Sequence, residues 1–381
     1  MKKYNYILLI FTLFLYACTS APQKMEHSTT TVEIDINSSE RLDFEKNFDS
    51  VQYIPLETNK DVLISEITKM YLDNEHIIIF DQKAMSIFLF GIDGKFIRKI
   101  GKKGEGPDEY LYINDIQFDK EQMLILAHER LRNCIYTYDL SGNLVNKSPT
   151  SSVMFNSFFK VKEGVWVYSC FSDGNPENYN LTLLTPNLQN VKKQYFSQKE
   201  FVNITFSSTF MSDGHGKLFF YYPSSNIIYE ISETDVKPFL QVNFGNRSMP
   251  YDRILKAGSM EEYDKLVSEK KYLGDINRCF ANRDRIFFSF MESGLGKVKF
   301  YNCFYNIRLK ETNVFDNAFM SSTTYPILPA LLHSTDTTLV YQIKLPIITE
   351  ESLTTLSSSL STNIQIDSNP VLAICSLKEQ Q

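Results

Sequence analysis

One unit of chain repeats, and that repetition restricts the possible fold more than any other feature. The stretch from Ile77 to Tyr110, IIIFDQKAMSIFLFGIDGKFIRKIGKKGEGPDEY, reads as two apolar strands, a turn, a further strand and a glycine-rich loop. A weaker copy follows directly. The polar turn Asp73-Asn74-Glu75 returns 46 residues later as Asp119-Lys120-Glu121, and the hairpin glycine Gly94 returns 48 residues later as Gly142. A period in the mid-forties with four short strands per unit belongs to a propeller blade. Paired-helix repeats of similar length are excluded, because these runs are β-rich and their glycines fall at hairpin turns.

Later units are degenerate but legible. Phe158 to Phe196, Phe206 to Phe244 and Asp275 to Phe315 each hold short apolar runs and a polar turn, Tyr325 to Ile343 supplies two strands, and VLAICSL from Val371 supplies the last. Five full units and a partial sixth predict an all-β, six-bladed propeller of four-stranded antiparallel blades. A ring leaves no open edge only if it closes, and the expected device pairs Phe48–Glu57 with Val371–Leu377. TVEIDI from Thr31 is expected to be extended. The richness in aromatics, 29 Phe and 22 Tyr beside the single Trp166, suits half-buried pleated surfaces.

Two stretches depart from the strand pattern. Tyr251 to Leu273 carries Ile254, Leu255, Tyr263, Leu266 and Val267 at helical spacing, and reads as a helical insertion that either covers the propeller or forms a lid. Asp316 to Ser322 and Ile348 to Ser368 are rich in Ser and Thr and read as loops, the second with a helix at Glu350 to Leu360.

The N-terminus has its own logic. Lys2 and Lys3 precede an apolar run, Ile7 to Leu15, that is too short to span a bilayer. Leu15-Tyr16-Ala17-Cys18 resembles the lipobox of bacterial lipoproteins. That resemblance implies a signal peptide over 1–18, cleavage before Cys18 and lipidation there. Thr19 to Thr31 is polar and contains Pro, Ser and Thr, so 19–31 reads as a flexible tether, and the repeats put the propeller over 32–381. No acidic run follows Cys18, so the expected location is the outer membrane, facing the periplasm. The other five cysteines show no CxxC spacing and mostly sit in apolar runs, as buried core residues would; one disulfide between blades stays open. A net charge of −6 with no basic run argues against a nucleic-acid partner.

The segment FGIDGKFIRKIGKKGEGPDEYLYINDIQFD resembles the blade junction of NHL-type propellers. It is most similar to six-bladed β-propeller lipoproteins of Bacteroidetes, on Asp93, Gly94, Lys95, Gly101, Gly104, Gly106, Pro107, Glu109 and Tyr110. The resemblance implies that ligands bind on the face formed by the loops between blades and the loops joining second to third strands. Candidate ligand-binding residues there are Asp81, Lys83, Lys103, Glu109, Tyr110, His128, Arg130 and Arg132. His128 with Arg130 could hold an anionic or polyhydroxyl ligand. A competing reading lets Glu109 and Tyr110 fasten neighbouring blades.

No HExxH, GxSxG or P-loop motif is present. Asp173-Gly174-Asn175 and Asp213-Gly214-His215-Gly216 are similar to calcium loops but lack enough alternating oxygen ligands. The expectation is therefore a non-catalytic, lipid-anchored module that needs no cofactor or metal and binds a carbohydrate, a peptide or an envelope protein. The alternative is a polysaccharide- or peptide-acting lyase or hydrolase using His128 with Glu109 or Asp81.

Overall fold

The computed structural model describes residues 29–378, apart from 171–178, 198–208, 224, 233–234, 255, 257–258, 269, 294–298, 322–326 and 344. Cys18, the lipobox and Asp173-Gly174-Asn175 lie outside the described residues. Six antiparallel sheets follow one another along the chain. Blade one is Lys69–Leu72, His76–Asp81, Ser86–Gly91 and Phe96–Ile100. Blade two runs from Ile113–Asp119 to Leu144–Pro149, blade three from Ser157–Val161 to Val191–Ser197, and blade four from Phe210–Ser212 to Val236–Asn243. Blade five runs from Leu273–Ala281 to Glu311–Ser321. In each, the first strand named lies innermost, around the central channel.

Burial explains which runs became which strands. His76–Asp81 and Ser86–Gly91 are buried on both sides, because each blade is sandwiched between two others. Their sequences are accordingly continuous apolar runs rather than alternating ones. The fourth strand, Phe96–Ile100, exposes Ile97, Arg98 and Lys99 at the rim. All five cysteines of the domain are buried thiols.

The ring closes as expected. Phe48–Pro55 pairs antiparallel with Val371–Leu377, with Ala373 opposite Tyr53 and Val371 opposite Pro55, so the N-terminal strand completes blade six beside Ile327–Ser334 and Thr338–Ile343. Ile54 then joins a core cluster with Val340, Leu372, Phe88 and Phe90 that welds blade six to blade one.

Before closing the ring, the chain runs along its outside. Thr30–Glu33 adds a parallel fifth strand to blade four and Glu40–Asp43 does the same for blade five. Val32 and Leu42, each 4% exposed, tuck their side chains under the rim. This corrects the expectation of a loop at Asp316 to Ser322. The last strand of blade five continues to Ser321, because Glu40–Asp43 gives its backbone groups hydrogen-bonding partners.

The insertion between blades four and five forms the helices Tyr251–Ile254 and Met260–Ser268. Met249, Tyr251, Ile254, Leu266 and Tyr272 make a small separate core beneath them. A further helix, Glu350–Ser359, is capped by the Thr349 hydroxyl, which accepts from the Ser352 N–H. Among the described residues, no helix is long and apolar enough to cross a membrane.

Candidate functional site

The loop face gathers the starts of the inner strands and the ends of the second strands. Five of the sequence-predicted ligand residues there, Asp81, Tyr110, His128, Glu109 and Arg132, are engaged in contacts within the fold. Asp81 is fully buried. One carboxylate oxygen accepts from the Ser65 and Glu66 N–H groups at 2.6 and 3.2 Å, and the other accepts from the Ala84 N–H at 2.8 Å. Tyr110 is 2% exposed and donates to the Met85 carbonyl at 3.0 Å, joining blade two's approach to blade one.

His128 is also fully buried, stacked on Phe155 with centroids 3.8 Å apart. Its Nε2 lies 3.4 Å from the Asn133 side-chain oxygen, and burial pushes its pKa down to about 3. The ring is therefore neutral and enclosed, out of a ligand's reach. A chemistry built on His128 with Asp81 lacks an accessible base.

The loop between blades one and two is held from within. Glu109 accepts from Lys102 Nζ at 2.5 Å and from the Gly106 N–H at 3.0 Å, and these contacts hold its carboxyl below the ordinary range. The carboxylate folds so close over Gly104 that a Cβ there would lie 1.9 Å from Glu109 Oε2, so a side chain at that position would have to displace the carboxylate. Arg132 donates through Nη1 to the Glu109 carbonyl at 2.6 Å and to the Tyr136 hydroxyl at 2.9 Å. Glu109 and Arg132 are thus half-buried fasteners. Lys83, Lys103 and Arg130 remain exposed on this face.

The channel holds polar residues that the sequence reading passed over. On blade one's inner strand, Lys69 Nζ lies 2.7 Å from Asp115 Oδ1 of blade two. Burial opposes the charge on Lys69, but Asp115 and Tyr71 outweigh it and raise the amine above its ordinary value. The other Asp115 oxygen accepts from the Phe158 N–H at 3.1 Å. One buried carboxylate therefore ties together blades one, two and three. Asn114, Gln117 and Asp119 share the strand Ile113–Asp119 with Asp115, so residue type alone did not single it out.

Blade five's inner strand is irregular. Its pairing with Arg285–Glu292 shifts register twice, once on each side of Asn277, and Asp275 and Arg278 both adopt left-handed backbone, with φ of 48° and 45°. Asp275 is held by Tyr251 of the helical insertion: its N–H donates to the Tyr251 oxygen at 2.6 Å, and that hydroxyl lies 3.3 Å from Asp275 Oδ1. Arg278 is exposed.

The opposite face carries a second charged group, built from the turns of three blades. His215 bonds Asp336 through Nε2, and Arg283 Nη2 lies 3.2 and 3.3 Å from the two ring nitrogens. The Arg283 N–H also donates to Asp336 Oδ1 at 3.2 Å. The sequence pattern DGHG around His215 is thus a turn whose histidine braces blades four, five and six. Among the described residues, no three His, Cys, Asp or Glu side chains stand together as metal ligands.

The architecture has close counterparts. A Bacteroides fragilis protein taken to be exported superposes with a TM-score of 0.71 at 15% identity, over 92% of this chain and 99% of that one. A member of the DUF4221 family from Bacteroides vulgatus superposes with a TM-score of 0.54 at 10% identity, over 86% of this chain and 96% of that one. At such identities the likeness is one of fold. No curated protein matches the sequence. The family model that does match is a domain of unknown function, DUF4934, over residues 28–376, and the chain belongs to that family.

Proposed function

We propose that the protein is a non-catalytic binding module of the cell envelope, held at the outer membrane by a lipid on Cys18 and facing the periplasm. Its partner would be a carbohydrate, a peptide or an envelope protein, met on the loop face. The reading divides the chain into a signal over 1–18, a tether over 19–31 and the propeller beyond. The likeness in fold to a protein taken to be exported agrees with the location. The observation that carries the binding role is the division of labour on the loop face. Asp81, Tyr110 and His128 are spent on internal contacts, while Lys83, Lys103 and Arg130 stay exposed as a cationic rim.

The test is a thermal-shift screen of the full-length chain in detergent against glycans and peptides. A ligand that binds only the folded state raises the melting temperature. A hit that is lost in the variant K83E/K103E/R130E supports the rim as the site. A hit that survives the triple change overturns that placement. Loss of detergent-phase partitioning in C18A would support the anchor, and unchanged partitioning would remove it.

A further inference from the structure

A cleft of about 130 Å³ opens on the face opposite the loops, where blade five meets the closing strands of blade six. Arg285 begins the second strand of blade five there, with Asn306 directly across from it at the end of the third strand. Asn313 of the fourth strand lines the same wall. The other wall is the crossover from blade five to blade six, with Lys46 and Asn47, and the end of the closing pair, with Leu377 and Lys378. Phe304 and Leu377 supply the apolar lining and belong to the core that joins the two blades.

The lining holds three cations, Lys46, Arg285 and Lys378, and, among the described residues, no carboxylate. The chain as a whole carries a net charge of −6, so this local excess runs against its average surface. Arg285 is half-buried, and no hydrogen bond or ion pair of the described residues reaches its guanidinium. Arg283, two residues earlier, meets Asp336 and His215 instead. Beyond the lining, Asp284 and Arg308 act on the Arg285 charge with opposite signs. Lys46 reaches Glu40 at 3.4 Å, but both side chains are about two-thirds exposed, so that pair is weak and can open. The backbone around the cleft is held. The Arg285 N–H donates to the Asn282 side-chain oxygen at 2.8 Å, the Asn306 side-chain oxygen accepts from the Arg308 and Leu309 N–H groups at 3.0 and 2.9 Å, and the Lys378 N–H donates to the Asn47 carbonyl at 3.4 Å. A fixed strand end therefore presents a cation for which the fold supplies no counter-ion.

Such a guanidinium favours a ligand that brings a planar oxyanion, because two of its N–H groups then meet two oxygens at once. An inorganic ion would satisfy the cations but leave the apolar lining and the amides unused. The Asn47 Nδ2 is bound to the Asp43 carbonyl at 2.7 Å, which leaves its oxygen to accept, and the Asn313 amide stands exposed beside it. A sugar acid uses every part: its carboxylate serves the cations, its hydroxyls the amides, and its C–H surface Phe304 and Leu377.

We propose that this cleft binds a sugar acid, a uronate, with its carboxylate on Arg285 and with Lys46 and Lys378 at the mouth. The site lies on the other side of the ring from the cationic rim, and it stands whether or not the loop face binds a ligand.

The probes are glucuronate and galacturonate, their methyl esters, glucose, galactose and inorganic phosphate, titrated calorimetrically into the full-length chain in detergent. At least one uronate should bind, and its methyl ester and neutral counterpart should bind about tenfold more weakly or not at all. R285Q should bind uronate and ester alike. R285K keeps the charge but loses the two-pronged donor, and its preference should fall between. The readout is the ratio of uronate to ester affinity within one variant, which a smaller folded fraction does not change. Equal binding of uronate and ester by wild type, an R285Q variant that still discriminates, phosphate bound as tightly as uronate, or no binding by any probe would overturn the proposal. Discrimination that survives in R285Q and is lost in K83E/K103E/R130E would overturn it too, and would place the uronate on the loop face.

Discussion

Asp81 and Glu129 occupy the same place in successive blades. Each ends the second strand, and each accepts a hydrogen bond from the N–H three residues ahead, Ala84 at 2.8 Å and Arg132 at 2.6 Å. With its other oxygen, each reaches the backbone that leads into its own blade's inner strand: Ser65 and Glu66 for Asp81, Tyr112 for Glu129. One carboxylate thus closes the turn after the second strand and pins the approach to the first. Both are fully buried. Replacing Asp81 with alanine leaves three part-buried N–H groups without their carboxylate partner, and replacing Glu129 leaves two, so D81A and E129A should each cost about 2–4 kcal/mol in urea unfolding. A change under about 0.5 kcal/mol would refute the clamp.

The buried pair Lys69–Asp115 should show the asymmetry of paired charges. K69M leaves a carboxylate unpaired in the channel wall and should destabilise by roughly 3–5 kcal/mol. In K69M/D115V both charges are gone, and that variant should be closer to wild type than K69M. Equal losses in the single and double variants would show that Asp115 matters only through its backbone contacts.

His128 predicts a pH dependence. Its pKa falls from an unfolded value of 6.5 to about 3 in the fold, because burial disfavours the imidazolium. A depressed folded value means the contribution is complete above the unfolded pKa and is lost as pH falls through 6.5 towards 3. Between pH 6 and 4 this residue alone should remove about 1.4 kcal/mol per pH unit. H128Q should flatten the slope of stability against pH by that amount. Parallel slopes for wild type and variant would place the acid sensitivity elsewhere.

Ring closure should depend on Ile54. It is 3% exposed and lies among residues of blades six and one. I54A should cost about 2–4 kcal/mol. Exposed Ile97, 42% accessible on the outer strand of blade one, serves as the control, and I97A should change stability by less than about 0.5 kcal/mol. Similar losses at both positions would mean that closure does not concentrate at this seam.

Two glycines with the same backbone sign should behave differently. Gly94 has φ of +82°, and a Cβ there would meet the Pro55 carbonyl at 2.2 Å. Gly214 has φ of +75° with nothing within 4 Å. G214A should cost about 1 kcal/mol for the left-handed backbone alone. G94A must in addition displace the closing strand, and should cost more than G214A by at least about 1 kcal/mol. Equal costs would show that the hairpin of blade one can move away from Pro55 freely.

The fold was legible because it is written in local periodicity. The strand pattern from Ile77 to Ile100, the turn at Asp93-Gly94 and its echo at Gly142 are each set by a few neighbouring residues, and the need to bury an edge forces Phe48–Pro55 against Val371–Leu377. The role of Glu109 and Tyr110 as fasteners was also within reach of the sequence, as one of two readings of the loop. What the tertiary structure alone decided is which polar side chains face inward. His128 looked like a surface histidine because charged Glu129 and Arg130 follow it, yet its strand is sandwiched between blades and the ring stacks on Phe155, 27 residues further along the chain. Arg278 looked like any strand arginine, because a bulge and a left-handed φ leave no mark in residue type when the residue is not glycine. Asp115 meets Lys69, 46 residues before it, and the Phe158 N–H, 43 residues after it. Only the stacking of successive blades brings these three residues together, and no local pattern encodes that contact.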